Sequence, residues 1–146
     1  MKALKILHNA FMIGLVLFAG VIYFLVYSGN AASIQELDKS FQVIAIILCA
    51  AGLYFSNTLF NKAIERIKNS TDTVPQKINL YRGAIIVKWA LLEGPAILTI
   101  VAFFLTANNA FIILAGIMIC ALYIAGPSKQ RIMQQLQLDE VDAEQF

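Results

Sequence analysis

Apolar residues fall in four blocks along the chain, at 9–28, 41–60, 83–106 and 110–126, and polar residues collect between them. A helix needs roughly 17 to 25 residues to cross a hydrocarbon core of about 30 Å, so each block is a candidate crossing. The pattern predicts an all-α, integral membrane four-helix bundle over residues 1–126 and a cytoplasmic segment over 127–146. The first block follows Lys2 and Lys5 as a secretory signal would, but its apolar run from Ala10 to Tyr27 exceeds the ~7 to 15 residues of a cleavable signal, so it is expected to be a retained anchor.

The connections carry their own signals. Residues 61–82 keep a helical period, with Ile64 and Ile67 on one side, and are expected to extend the second and third helices beyond the membrane as a hairpin. In TVPQ, the spacing of Thr73, Pro75 and Gln76 predicts a capping box that opens the third helix near Val74. SIQE repeats that spacing at Ser33 and Glu36, ahead of the second block. TANNA, with Asn108 and Asn109, reads as a tight turn between the third and fourth crossings. After Pro127, SKQRIMQQLQL places Ile132, Met133 and Leu136 on one face and predicts a short amphipathic helix along the membrane surface. The acidic tail DEVDAEQF is expected to fray. NAFMIGLVLFAGVIYFL and WALLEGPAILTIVAFFL align without gaps 80 positions apart, with Gly14 against Gly94, which suggests a tandem duplication of two hairpins.

Composition agrees with this picture: 60% of the 146 residues are hydrophobic and 14% charged, too apolar for a soluble domain of this size. Of the 11 basic residues, nine (Lys2, Lys5, Lys62, Arg66, Lys68, Lys77, Arg82, Lys129 and Arg131) lie before the first block, between the second and third, or after the fourth. Basic residues are held on the cytoplasmic side, so both termini are expected there. The net charge of +2 then reflects topology, and no nucleic-acid partner is expected. Cys49 and Cys120 fall inside the blocks and are expected to pack as small hydrophobes. With one histidine, His8 at the edge of the first block, and no metal-protease, nucleophile-elbow or phosphate-loop motif, the chain is expected to be no enzyme and to carry no metal or cofactor.

One residue breaks the apolar pattern. Glu93 is the eleventh of 24 residues in the third block, about 15 Å deep and close to the bilayer midplane. An ionised side chain there costs about 2.5 to 3.5 kcal/mol on insertion scales, so without a cationic partner Glu93 is expected to be protonated. Arg82 shares its face but stands about 16 Å away, and Lys88, about 140° around the helix, is expected to snorkel to the headgroups. Tyr54 and Asn57 on the second block lie at neighbouring depths and complete a candidate proton or cation site. Gly94 and Pro95 predict a kink, and Pro95 leaves the Leu91 carbonyl without its helical donor beside the acid. Trp89, one turn earlier, is a candidate shield or hydrogen-bond donor for Glu93. The competing reading is that the acid donates a hydrogen bond pinning two helices together, worth about 0.6 to 2 kcal/mol.

From YRGAIIVKWALLEGPAILTIVAFFLT through the turn and fourth block to PSKQRIMQQLQL, the chain resembles a group of small, uncharacterised bacterial four-span membrane proteins. That resemblance covers nearly the whole chain and implies the multi-pass topology and a bacterial cytoplasmic (inner) membrane. ALLEGPAILTIVAFFL is also similar to the carboxylate helix of rotary ATPase proteolipids, with Glu93 at the position of their ion-binding acid. The second block, IAIILCAAGLYFSNTLF, departs from proteolipids in lacking their dense glycine repeat. The expected function is a structural or accessory membrane component that meets the lipid bilayer and a homo-oligomer or larger membrane complex. The alternative is proton or cation binding and translocation at Glu93.

Overall fold

The computed structural model describes residues 2–29 and 38–138. All the elements it describes are helices: α1 (Lys2–Tyr27), α2 (Asp38–Lys68), α3 (Val74–Thr106), α4 (Asn109–Ile124) and α5 (Lys129–Leu136). Three of them, α1, α2 and α3, are long and apolar enough to cross a membrane. The 16-residue α4 is about 24 Å long, short of a full crossing by itself. Counting α4 and α5 as one broken span, bent by 72°, gives a fourth. Ser33, Glu36 and the DEVDAEQF tail lie outside the described residues.

α3 is the axis of the bundle, packing against α1, α2 and α4. Its buried row, Tyr81, Ile85, Trp89, Leu92, Ala96, Ile100 and Phe103, steps every three or four residues as a single helical face requires. α1 lies against α3 and α4, and α2 against α3, α4 and α5. This arrangement does not repeat itself: α4 packs on α3, whereas α1 takes α3 and α4 as its main neighbours in place of α2. Two equivalent hairpins, as the 80-residue offset suggested, are not formed.

The bundle is inverted in polarity relative to a soluble one. Ile13, Leu17, Phe24, Ile47, Tyr54 and Ile117 are among many large apolar side chains turned outward, and α1 buries only Leu4, His8 and Leu15. Such a surface is stable against lipid and a liability in water. The buried hydroxyls comply with an apolar interior by bonding their own helices: Ser56 to Leu53 O at 3.1 Å, Thr99 to Ala96 O and Thr106 to Ala102 O at 2.8 Å each.

α3 opens at Val74 as the TVPQ signal predicts, with Gln76 Oε1 accepting from the Thr73 amide at 3.0 Å. Lys77 Nζ donates to Lys68 O at 3.2 Å and closes the carboxyl end of α2. The amphipathic α5 turns its apolar face onto the bundle: Ile132 and Leu136 are buried in the cluster that contains Phe60, Ile64, Ile67 and Tyr81. Tyr81 also donates to Gln135 Oε1 at 3.1 Å. The apolar face of α5 thus packs on the carboxyl end of α2 and the start of α3.

Candidate functional site

Glu93 is half-buried and lines a shallow groove between α1 and α3 with Gly14, Leu15, Phe18 and Ile97. Among the described residues it has no hydrogen-bond or ion-pair partner. Tyr54 is 65% exposed on α2, its ring meeting Phe55 edge to face at 5.4 Å. Asn57 lines a separate niche between α2, α3, α4 and α5. Neither Tyr54 nor Asn57 bonds Glu93, so the three candidate residues, similar in depth, are not brought together.

The freed carbonyl also turns elsewhere. α3 runs without a break through Gly94 and Pro95. Leu91 O is packed against Gly52 of α2, where an added Cβ would stand 2.8 Å from the oxygen, 2.9 Å from Pro95 Cγ and 3.6 Å from the Met118 methyl. Glu93 and Pro95 are two positions apart, about 200° around a helix, so the acid faces α1 while the proline notch faces α2. Only glycine at position 52 admits that approach. Gly94, by contrast, is open: a Cβ there would meet nothing within 4 Å.

The densest polar arrangement lies at the carboxyl end of α4, and Trp89 belongs to it. The last carbonyls of a helix lack intrahelical donors and are costly to leave bare in an apolar setting. Here five in succession are satisfied. Ala121 O accepts from Ala125 N at 3.0 Å, and Tyr123 O from Gly126 N at 3.1 Å. His8 Nε2 of α1 donates to Leu122 O at 2.9 Å, Arg131 of α5 to Ile124 O at 2.9 Å, and Trp89 Nε1 of α3 to Ala125 O at 3.0 Å. The His8 and Trp89 rings meet with centroids 5.0 Å apart. Gly126 makes room for this contact, since a Cβ there would lie 3.2 Å from His8 Cε1. A carbonyl accepts only, so the bond places a proton on Nε2 of His8.

A second polar cluster ties the opposite end. Asn108 Oδ1 accepts from Ala110 N at 2.9 Å as the cap of α4, and its Nδ2 donates to both carboxylate oxygens of Asp38, 2.9 Å from each. Tyr27 of α1 donates to Asn109 Oδ1 at 3.1 Å. The α3–α4 turn thereby holds the end of α1 and the start of α2, and Asp38 sits where a helix amino end favours negative charge.

The sequence marked His8 only as an edge residue and offered Trp89 to Glu93. The usable signal was the short fourth block ending before Pro127, which leaves carbonyls that must find donors. Cys49 packs in the core as expected, whereas Cys120 points outward. No protein-family model, curated protein or solved structure matches this chain.

Proposed function

We propose that this chain is a multi-pass protein of a bacterial cytoplasmic membrane, a four-helix bundle crossing four times with both termini in the cytoplasm, and that it serves as a structural or accessory component. The observation that carries the reading is the use made of its polar side chains. His8, Trp89 and Arg131 at one end, and Tyr27, Asp38 and Asn108 at the other, are committed to helix ends and turns of the same chain. Groups spent on holding helices together in register are what a scaffold requires. The distribution of basic residues supports the orientation, because Lys62, Arg66, Lys68, Lys77 and Arg82 all stand in or beside the α2–α3 connection.

One observation favours a second reading, in which Glu93 binds a proton or cation. Its carboxyl has no partner in the described chain and opens into the α1–α3 groove. Intramembrane acids of this kind occur at ion pathways and at contacts between copies, and the likeness to the proteolipid carboxylate helix points the same way.

Proteoliposomes enclosing a pH-sensitive dye separate the two. Under an imposed membrane potential, a scaffold passes protons no faster than protein-free vesicles. Proton entry that is present in the wild type and absent in Glu93→Gln, which keeps the shape and cannot ionise, replaces the scaffold reading with the second one.

A further inference from the structure

Lys88 and Arg131, 43 positions apart in sequence, flank one niche of about 280 Å³ between α2, α3, α4 and α5, together with Asn57 and Ser56. No carboxylate among the described residues pairs with either cation. Lys88 Nζ rests 4.7 Å above the centre of the Phe60 ring, and one amino group of Arg131 is held by Ile124 O. Both cations retain free donors, and the Asn57 amide adds two more. Leu53 and the 69% exposed Ile124 continue the niche as an apolar wall. Lys88 and Phe60 also line the α2–α3 groove, about 450 Å³, but there Arg66 is accompanied by Asp72, so the groove carries less surplus positive charge than the niche.

Two cations side by side at the edge of a low-dielectric region repel each other unless an anion joins them. The anion must present several acceptors to an ammonium, a guanidinium and an amide at once, and it must be attached to something apolar that lies on Leu53 and Ile124. A phosphodiester meets the first requirement, with guanidinium and ammonium groups its usual partners. Acyl chains meet the second. Basic pockets between membrane helices near the cytoplasmic face are where anionic headgroups bind.

We propose that this niche is a binding site for an anionic phospholipid, its phosphate held by Lys88, Arg131 and Asn57 and its chains lying along α2 and α4. The inference rests on the membrane reading above.

Trp89 is the only tryptophan; it is buried behind the niche, and its indole bonds Ala125, which lines it, so it senses acyl chains that settle against that wall at short range. The full chain is reconstituted in bilayers of phosphatidylcholine and phosphatidylglycerol, with either lipid brominated high on its acyl chains, and Trp89 fluorescence is recorded. The site predicts quenching by brominated phosphatidylglycerol at severalfold lower mole fraction than by brominated phosphatidylcholine. That preference should fall toward one in Lys88→Gln, persist in Lys88→Arg and weaken in high salt. Unbrominated phosphatidylglycerol should relieve the quenching, and millimolar inorganic phosphate should not. Equal quenching by the two lipids, or a preference unchanged in Lys88→Gln and in high salt, overturns the site. Relief by inorganic phosphate overturns it in favour of a free-anion site. Quenching by neither lipid in protein that has entered the bilayer overturns the site, whereas failure of the chain to enter bilayers of either composition overturns the membrane reading beneath it. The salt series needs no variant, so misfolding of a mutant leaves the proposal open to refutation.

Discussion

Gly52 and Leu91 bring α2 and α3 into backbone contact: a Cβ at position 52 would come within 2.8 Å of the Leu91 carbonyl oxygen, at the notch where Pro95 supplies no amide hydrogen. Gly52→Ala must therefore push the two helices apart. Overpacking of this kind costs about 1–3 kcal/mol. A lowered melting temperature of the purified protein in detergent is the expected result. Gly83→Ala is the control, since a Cβ there meets nothing within 4 Å and the helix gains propensity; it should be neutral or mildly stabilising.

Trp89→Phe keeps the apolar ring and removes the N–H that Ala125 O accepts. Loss of one such bond inside a membrane bundle is expected to cost about 0.6 to 2 kcal/mol. His8 serves the same helix end and touches Trp89. Combining His8→Phe with Trp89→Phe should therefore depart from the sum of the single effects, a coupling that detergent unfolding of the four proteins measures directly.

Asn108→Ala removes both the α4 cap and the link to Asp38. The cap alone is worth about 1 kcal/mol. The expected signature is lowered stability together with faster proteolysis at the α3–α4 turn. Asp38→Asn, which leaves the α4 cap in place, should show a smaller loss and unchanged cleavage of the turn.

The helices were legible because apolar runs long enough to cross a membrane are a plain signal in sequence. Block ends, the α3 start at Val74 and the extension of α2 to Lys68 all follow from apolar run length and capping chemistry. The neighbours of each helix were not legible. Tyr54, Asn57 and Glu93 share a depth, but depth is one coordinate, and the rotation of α2 and α3 that separates them is set by Gly52 seating on Leu91. α5 was recognisable by the spacing of Ile132 and Leu136, yet an amphipathic face suits a bilayer surface and a protein groove equally well in sequence. His8 carried no local signal. Its role exists only because α4 ends early and α1 lies beside that end.

Cysteine accessibility tests the four-crossing arrangement most directly. In a background of Cys49→Ala and Cys120→Ala, single cysteines at exposed positions Asn69, Ala107 and Gln130 are challenged in intact cells with a maleimide that cannot cross the membrane. Labelling at 107 in intact cells, with 69 and 130 labelled only after the cells are broken, is the expected result. Labelling of 69 in intact cells would contradict the orientation, and 107 and 130 reacting from the same side would contradict a fourth crossing between those two positions.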